Sequence, residues 1–420
     1  MLFRPKLFRN KKEFFIVSIF FILLIAFRLL LLYNDYLALK RLPNYFYTEA
    51  QVIKLYPAKD GATLLKLHSI DNLDFYLYTP KEPKRFDWVR VKIKLKKNTS
   101  FFDYLRGFFA KGAVVEKVQE GFDAKAYFRK KIDKQHQKYK SLRSFYYAIF
   151  LADPLQKELR QKVSNLGVSH LIALSGFHLG ILWILLFGVL YFPYKALQER
   201  FFPWRNRNID LGFITLLLLA FYVIFVGAPA SLLRSYIMLL LAWIMIIFGL
   251  EILNFEFLSF TLLLILLFNP KLIASLGLLL SFAGVFYIFL MLKWLKNASP
   301  WFISLVAIPI GIFLLMFPIG HFFFGNTSIW QLLSPPLSVA FIVFYPISVL
   351  LHLLGFGSFF DPALYKLFSL SEHAIKITMP PWLIGAYIVS SFWAVFSKRA
   401  FYFTLVFAGA ITFYYIYLAS

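Results

Sequence analysis

The chain opens with an apolar run whose length and flanks are typical of a membrane helix. Residues 14–32 form this run. A bilayer's hydrocarbon core needs about 20 apolar residues to cross it, and basic flanks favour the cytoplasmic side. The preceding basic residues are Arg4, Lys6, Arg9, Lys11 and Lys12. We expect residues 1–36 to be a cytoplasmic N-terminus with a retained first helix. A cleaved signal peptide is the competing interpretation, but no clear Ala-x-Ala site follows.

Between residues 45 and 119 the pattern changes to the alternation of a half-buried strand. Apolar Val89, Val91, Ile93 and Leu95 alternate with basic Arg90, Lys92, Lys94 and Lys96. Asp60-Gly61 predicts a hairpin turn between 51–56 and 63–68, and 74–78 predicts a further strand. These strands predict a small extramembrane β domain, for which an OB-like barrel is one option. We expect residues 37–165 to lie on the outer face.

Helical spacing returns between residues 122 and 165. Apolar positions recur at helical intervals, at Phe128, Ile132, Tyr139, Leu142, Phe145, Tyr146, Ile149 and Phe150. Lysine and arginine fill much of the remainder, and basic amphipathic helices usually lie in the membrane interface. Asp153-Pro154 predicts a division into two helices. We therefore predict amphipathic interfacial helices for this segment.

Residues 168–420 are dominated by apolar runs and predict the membrane core. The candidate spans are 171–192, 211–227, 232–250, 256–268, 272–292, 301–319, 329–354, 382–397 and 400–418. The run 256–268 is too short to cross comfortably, which favours a re-entrant or extended helix. The pattern leaves the topology of residues 355–420 open. The predicted fold class is a polytopic α-helical membrane protein of about nine or ten spans with a small N-terminal β domain.

Composition agrees with this interpretation and excludes several chemistries. Hydrophobic residues make up 60% of the chain and charged residues only 16%. The formal charge of +24 reflects 45 Lys and Arg against 21 Asp and Glu, part of which the positive-inside rule explains. The chain has no cysteine, which excludes disulfides, thiolate catalysis and Cys-ligated metal sites. No phosphate-loop motif occurs, so we expect no ATP hydrolysis and no cofactor.

The segment 169–180 concentrates polar residues in an apolar helix. His170, Ser175 and His178 lie there beside Gly176 and Gly180. Polar groups inside a membrane are costly unless partnered, so they commonly mark a pathway or a helix contact. The two glycines form a GxxxG step that lets another helix approach. The structural alternative is that both histidines bridge helices and the serine bonds its own backbone.

A second polar cluster interrupts the apolar pattern at residues 227–235. Gly227 and Pro229 break the helix, and Arg234 lies one turn into the next apolar run between Ser231 and Ser235. The arginine either extends to a lipid headgroup or faces a water-filled cavity. The neighbouring serines favour the cavity, where one cation offers transient contacts to an anionic polymer.

These two clusters carry a resemblance to a known family. Residues 169–180 resemble the signature of ComEC-type competence proteins, and 227–235 is similar to that family's Gly-x-x-Pro-Ser-x-x-Arg step. Residues 276–284 resemble its Gly-Phe-Gln-Leu-Ser-Phe element, although Leu278-Leu279 replace the Phe-Gln pair. Residues 101–106 with Gly112 resemble the end of its OB-like domain. The match runs through nearly the whole chain in the family's order.

The resemblance implies a channel that passes one DNA strand through the bacterial cytoplasmic membrane during natural transformation. It implies Gly176, Gly180, Gly227 and Pro229 as helix-packing positions. It also implies channel-lining residues, which are His170, Ser175, His178, Ser231, Arg234 and Ser281. Expected partners are single-stranded DNA, membrane lipids, a DNA receptor, a separate nuclease and a cytoplasmic motor. Many members continue into a metallo-β-lactamase-like domain, but this sequence ends at Ser420 without a His-x-His-x-Asp-His motif, so strand degradation is expected to need another protein.

The basic strand face of the β domain fits the same function. Single-strand binders combine a cationic groove with aromatic platforms on which bases stack. We expect phosphate contacts from Arg90, Lys92, Lys94 and Lys96 and base stacking on Tyr76 and Tyr78, or on Phe101 or Phe102. A solvated face over anionic lipid is the alternative. Two other functions remain open at this point: a secondary or lipid transporter, and an intramembrane hydrolase that uses Ser175 with His170 or His178 as its base.

Overall fold

A computed structural model describes most of the chain. The described residues are 7–8, 10–42, 45–57, 63–80, 83–96, 98–121, 123–251, 254–371 and 373–419. Helices dominate: α1 Lys11–Arg41, α2 Phe101–Arg106, α3 Lys125–Gln135, α4 Arg143–Leu151, α5 Lys157–Asn165, α6 Ser169–Ile172, α7 Gly176–Phe201, α8 Arg207–Phe225, α9 Ala230–Ile247, α10 Phe255–Phe268, α11 Leu276–Trp294, α12 Pro300–Phe302, α13 Ile308–Phe324, α14 Ser334–Leu354, α15 Asp361–Ser369, α16 Pro381–Trp393 and α17 Lys398–Ala419. The strands are β1 Phe46–Pro57, β2 Thr63–Ser69, β3 Asp74–Thr79, β4 Trp88–Lys94, β5 Phe108–Phe109, β6 Lys111–Gln119, β7 Asn326–Thr327 and β8 Ile375–Lys376.

Many of these helices are long and apolar enough to cross a bilayer. Seven candidate spans occur among the described residues: Lys11–Arg41, Gly176–Phe201, Arg207–Phe225, Leu276–Trp294, Pro300–Phe324, Ile329–Leu354 and Lys398–Ala419. Two shorter apolar helices, Ser231–Ile247 and Phe255–Phe268, accompany them. The lengths of the seven spans match the hydrocarbon thickness that an α-helix must cross. The chain is a polytopic α-helical membrane protein with an N-terminal β domain.

The chain divides into two compact units. Residues 8–126 with 259–276 form one unit, and residues 1–7, 127–258 and 277–420 form the other. The first unit contains α1 and the β domain, and the second contains most of the apolar helices. We describe each by itself.

The β domain is a six-stranded sheet in the order β5-β3-β2-β1-β4-β6. β3 pairs with β5 in parallel, and β6, which follows β5 almost at once, pairs with β4 antiparallel. The segment 108–119 therefore joins both ends of the sheet, as expected for a small barrel. Helix α2 lies between β4 and β5. The finer assignment to an OB-like fold stays a prediction.

The alternation along β4 appears as the sequence pattern predicts. Val89, Val91 and Ile93 are fully buried in the domain core, whereas Arg90 on the opposite face is exposed. β1 and β2 pair antiparallel, with Ala50 opposite Ser69 and Pro57 opposite Thr63. The Asp60-Gly61 turn predicted between these strands lies outside the described residues.

Helix α1 is fixed to the β domain by polar and aromatic contacts. Tyr36 is 5% exposed and donates a hydrogen bond to the Thr99 carbonyl at 2.8 Å. Its ring lies 5.7 Å from the rings of both Phe101 and Tyr104. Nearer the N-terminus of α1, the Arg28 guanidinium donates a hydrogen bond of 3.2 Å to the carbonyl of Phe268, the last residue of α10. A cation at a helix C-terminus satisfies carbonyls that lack intrahelical partners.

Asp87 anchors the loop that enters β4. Its carboxylate is 1% exposed, accepts hydrogen bonds from the backbone N–H groups of Lys84 at 2.8 Å and Gly121 at 2.9 Å, and pairs with Lys117 at 3.1 Å. Burial by itself would raise the pKa of Asp87, but the bonds from Gly121, Lys117 and Lys84 outweigh it and hold the pKa below its usual range. Asp87 therefore stabilises the fold as a carboxylate.

We expect the stability that Asp87 contributes to disappear in acid. It is fully present above the ordinary carboxyl pKa of about 4 and is lost as the pH falls through the lower folded value. Asp87→Asn should reduce the free energy of unfolding by about 1–3 kcal/mol at neutral pH. Amide hydrogen exchange of the β domain in the full chain measures this. Equal exchange in wild type and variant at neutral pH would contradict the assignment.

The second unit builds its core between short helices and long ones. α4 has six of its nine residues buried: Ser144, Phe145, Tyr146, Ala148, Ile149 and Leu151. These pack in one cluster with Phe341 and Tyr345 of α14 and Phe368 of α15. α4 and α5 end and begin on either side of Asp153-Pro154, as predicted. The apolar side of α4 therefore covers protein, not lipid, which the amphipathic pattern alone did not distinguish.

Candidate functional site

The helix expected to begin at residue 171 is interrupted inside the polar signature. α6 ends at Ile172, Ala173 and Ser175 have extended backbone, and α7 begins at Gly176. Helix ends leave carbonyls without intrahelical partners. Ser231 at the start of α9 donates a hydrogen bond to the Leu174 carbonyl at 2.9 Å. The two sequence clusters therefore meet, because a serine of the second satisfies the break in the first.

Gly176 allows α7 and α9 to approach closely at this break. A Cβ atom on Gly176 would lie 3.0 Å from the Ser235 Oγ and 3.2 Å from its Cβ. Nothing among the described residues lies within 4 Å of the Cβ position of Gly180. Gly176 is thus a close-packing position, whereas a helix that packs on Gly180 stays a prediction. Gly227 has a φ of 84°, a left-handed conformation that glycine adopts without strain, and Pro229 caps α9.

The two glycines provide a matched pair of variants. We expect Gly176→Leu to push α9 from the start of α7 and to destabilise the protein by about 1–3 kcal/mol, because it overpacks a filled site. Gly180→Leu adds the same side chain to open space and should change stability little. Thermal unfolding of both purified variants in one detergent measures the difference. Equal unfolding temperatures would contradict the close approach of α7 and α9.

His178 is completely buried one turn into α7. The Ser175 N–H donates to its Nδ1 at 3.3 Å, and the Ser175 Oγ lies 3.2 Å from the same nitrogen. Its ring packs at 4.8 Å from that of Tyr345 and 5.3 Å from that of Phe341. Its Nε2 is buried and has no hydrogen-bond partner within the described parts of the chain. A buried polar atom in this state is typical of a site completed by water or a ligand.

A hydrolase site at Ser175 and His178 stays a prediction, and the geometry of their contact is that of a helix cap. A general base must be free to take the serine proton and is normally oriented by a third group. Here the Nδ1 already accepts from a backbone N–H, and no described side chain holds the Nε2. The pair stabilises the first turn of α7, which explains the contact without catalysis.

Arg234 is the most unusual side chain of the site. It is 4% exposed, and neither its Nε nor its Nη1 has a hydrogen-bond partner among the residues that the structure describes. Moving a guanidinium from water into the protein interior without a compensating partner costs several kcal/mol. Such a cation is expected to acquire an anionic or aqueous partner in the working protein.

The remaining predicted lining residues are distributed differently. His170 is exposed on α6, with its Nε2 3.4 Å from the Ser338 Oγ of α14. Ser281 is half-buried on α11, and Tyr287 and Leu290 of the same helix belong to a separate core cluster with α13, α16 and α17. The structure therefore brings Ser175, Ser231 and Gly176 together, whereas Ser281 lies on a helix of another cluster.

The β domain carries an aromatic platform on its polar face. The ring of Phe109 stacks with that of Tyr76 at 5.1 Å and with that of Tyr78 at 6.4 Å. The Nζ of Lys66 lies 5.8 Å from the Tyr76 ring, and that of Lys96 lies 5.7 Å from the Phe109 ring. Phe109 and Tyr78 are 45% and 56% exposed, so their faces remain open to a stacking partner. We call these five residues the aromatic platform.

The other predicted cations of this face differ in their surroundings. Lys92 lies over the rings of Tyr45 at 5.3 Å and Tyr47 at 5.6 Å, which extends the cationic aromatic surface. Arg90 pairs with Glu49 at 2.9 Å and Glu116 at 2.6 Å across neighbouring strands. Its charge is thus already balanced, and a phosphate contact from it stays a prediction. Lys94 is half-buried at the end of β4.

A shallow cavity of about 310 Å³ lies beside Arg90. Its lining includes the carboxylates of Glu49 and Asp71. Arg90, which also lines the cavity, is already paired with Glu49, so the lining offers a phosphate backbone no unpaired cation and this cavity is a poor DNA site. The cationic surface lies instead on the aromatic platform and around Lys92.

Comparison with known proteins decides the family. A family model described as Competence protein matches residues 152–419, which is more than half of the chain. The chain belongs to the competence protein family. No curated protein and no solved structure matches it. The family match supports a role in competence, and thus in DNA uptake. The matched residues include the break between α6 and α7 and the start of α9.

Sequence reasoning missed two residues of the aromatic platform in this competence protein. Phe109 and Lys66 belong to the aromatic platform, although neither was a candidate. Phe109 follows Gly107, whose φ of 96° redirects the chain into β5, and this parallel pairing with β3 is a long-range contact. The alternation of polar positions along 63–69 was the available signal for Lys66, since it placed this lysine on the face opposite Leu65 and Leu67.

Proposed function

We propose that this competence protein is an inner-membrane channel that carries single-stranded DNA into the cytoplasm during natural transformation. The observation that carries the proposal is the buried guanidinium of Arg234, with two nitrogen atoms that lack partners among the described residues. It lies next to the break between α6 and α7, in the part of the chain that defines the family. An anionic phosphate is the partner that this cation lacks.

One isolated cation suits transport better than a cluster would. Conduction requires contacts that are favourable enough for entry and weak enough for release. Ser231 and Ser235 add neutral groups beside the arginine on α9, so a strand meets little net attraction beyond one charge. Because Arg234 is only 4% exposed, the proposal treats this conformation as closed to DNA. Transport then requires α9 to separate from its neighbours, and the short serine and glycine contacts between α7 and α9 permit it.

The β domain is proposed to receive the strand before it reaches the membrane. The aromatic platform offers stacking faces, and Lys66, Lys92 and Lys96 offer charges for the backbone. This function requires residues 37–165 to lie outside the cytoplasmic membrane, with the N-terminus inside, as the basic flank of α1 favours. Basic α3 then lies near anionic lipid headgroups.

The proposal also defines the partners. Double-stranded DNA must be captured and converted to one strand, which calls for a DNA receptor and a nuclease. Directional movement needs energy, and a cytoplasmic motor that pulls the emerging strand supplies it. Each partner is proposed because capture, strand conversion or energy supply is a step that a channel does not perform.

Uptake of fluorescent DNA by intact cells tests the proposal. Cells that lack this chain should bind labelled DNA at the surface and keep it outside the cytoplasm, and resupply of the chain should restore entry. Nuclease-resistant fluorescence within the cytoplasm is the readout, with surface binding measured in the same cells. Equal cytoplasmic entry with and without the chain would overturn the proposed function.

A further inference from the structure

A buried chain of titratable side chains joins four helices of the second unit. His136, which follows α3, is 0% exposed, Asp361 at the start of α15 is 1% exposed, and His352 near the end of α14 is 8% exposed. Tyr146 of α4, also 0% exposed, completes the group. Polar groups buried this deeply in membrane proteins are costly, and they commonly mark proton pathways or other functional sites.

The hydrogen bonds run continuously through the group. His136 Nδ1 lies 2.8 Å and 3.0 Å from the two oxygens of Asp361, and His136 Nε2 lies 2.9 Å from His352 Nε2. His352 Nδ1 lies 2.7 Å from the Ser348 carbonyl. The Tyr146 hydroxyl donates to Asp361 at 3.0 Å. Burial and the nearby Asp361 raise the pKa of Tyr146, which keeps this hydroxyl protonated.

The partners fix the number of protons. A carbonyl only accepts, so the His352 Nδ1 carries a proton and its Nε2 accepts from His136. His136 then carries a proton on Nε2, and one more proton lies between its Nδ1 and Asp361. The complete network therefore holds one proton more than two neutral imidazoles and a carboxylate, and its net charge is zero.

Either change in that proton count breaks a bond in a buried place. Loss of the extra proton leaves the Asp361 carboxylate against an unprotonated ring nitrogen or, when both rings change tautomer, leaves the unprotonated His352 Nδ1 against the Ser348 carbonyl. If His352 gains a further proton on Nε2, its N–H faces the Nε2–H of His136 across the 2.9 Å contact, and the hydrogen bond between the rings is lost. A buried polar group without its partner costs about 1–3 kcal/mol, and a charged one costs more.

We propose that His136, Asp361 and His352 form a proton-binding site that fastens α3 and α4 to α14 only while one shared proton is bound. The proton is the ligand because, among the described residues, no His, Cys, Asp and Glu group is arranged to hold a metal ion. The site stands on its own geometry and does not depend on the DNA proposal.

Other groups around the site favour the fastened state. Gln135 donates to the His352 carbonyl at 3.1 Å and accepts from the Gly357 N–H at 2.7 Å. Arg143 donates to the His136 carbonyl at 3.1 Å, and its own charge is paired with Asp133 at 3.5 Å. These contacts orient the backbone around the two rings and add no further proton position to the hydrogen-bonded chain of His136, Asp361 and His352.

Helix α14 gives the site a route to the α6–α7 break. Ser338, Phe341, Tyr345, Ser348 and His352 recur at helical intervals of three and four, so they share one face of α14. That face contacts His178 through Phe341 and Tyr345. A shift of α14 would therefore change the packing around His178. Only the effect of that shift on DNA passage rests on the proposed function.

Distance measurement in the full chain tests the proton site. The chain has no native cysteine, so a spin-label pair at Lys134→Cys on α3 and Ser358→Cys after α14 needs no further substitution. Both positions are exposed. We expect one narrow distance distribution while the shared proton is bound, and a broader and longer one when the pH is taken far enough down or up to add a proton or to remove it. A distribution that does not change with pH would overturn the proposal.

Two variants separate the titrating site from a merely structural contact. His352→Gln keeps an acceptor for His136 but cannot take a second proton, so the broadening in acid should vanish while the alkaline broadening remains. Tyr146→Phe removes one donor to Asp361, keeps the titrating groups, and should move the alkaline broadening to a different pH. An unchanged acid response in His352→Gln would overturn the proposal. If that variant does not fold, an alkaline response in Tyr146→Phe identical to wild type would overturn it instead.

Discussion

Replacing Arg234 with alanine is expected to lower cytoplasmic DNA entry by at least about a hundredfold while leaving the protein folded. Two charge-assisted contacts of about 1.5–3 kcal/mol each would be lost from the moving strand. The folded protein, in contrast, loses an uncompensated buried cation, whose removal is neutral or stabilising. Loss of function without loss of stability is the signature of a group kept for its ligand.

Matched variants sharpen this expectation. Arg234→Lys keeps the charge but not the planar donor fork, so DNA entry should be intermediate. Leu232→Ala, two residues away in a fully buried position, should lower stability by about 2–5 kcal/mol, because it opens a cavity in the cluster around α7, α8 and α9. Normal DNA entry in Arg234→Ala would contradict the role of Arg234. So would a fall in DNA entry matched by an equal fall in stability.

Removing Lys66, Lys92 and Lys96 together is expected to weaken binding of single-stranded DNA to the purified protein strongly and to flatten its salt dependence. Each neutralised phosphate contributes about 0.7 to the slope of log affinity against log salt for single strands. The triple variant should therefore lose about 2 units of slope if each lysine meets one phosphate. Binding titrations of fluorescent DNA at several salt concentrations measure both quantities.

Aromatic and paired-charge controls distinguish this surface from general attraction. Phe109→Ala should cost about 1–3 kcal/mol of binding through lost stacking and leave the salt slope unchanged. Arg90→Ala should change the slope little, because Glu49 and Glu116 already balance that charge. An equal loss of slope in Arg90→Ala would show that overall charge, not the aromatic platform, attracts DNA.

Local patterns predicted the local structure well. The alternation of 89–96 gave β4 and its two faces, since a period of two is visible in the sequence itself. Pro154 marked the end of α4, because proline cannot continue a helix. The polar signature and the Gly227–Ser235 cluster were both recognised, and the structure adds that Ser231 and Gly176 join them.

Contacts between distant parts of the chain were not visible in the sequence. His136, His352 and Asp361 appear as isolated polar residues, and only the packing of α14 and α15 against the end of α3 brings them within hydrogen-bond distance. The burial of α4 was missed for a similar reason, because an apolar stripe fits protein and lipid equally well. Phe109 required the parallel pairing of β5 with β3.

The absence of cysteine from this chain also allows a direct test of whether water and DNA reach the site beside Arg234. A thiol introduced as Ser235→Cys should react with a membrane-impermeant, water-soluble thiol reagent in cells competent for uptake, and single-stranded DNA should slow that reaction. Ile224→Cys, on an exposed apolar face of α8, and Leu232→Cys, in the buried cluster, should stay unmodified. If Ser235→Cys remains unreactive with and without DNA while an exposed Ser358→Cys reacts, these helices enclose no aqueous passage and the account is wrong.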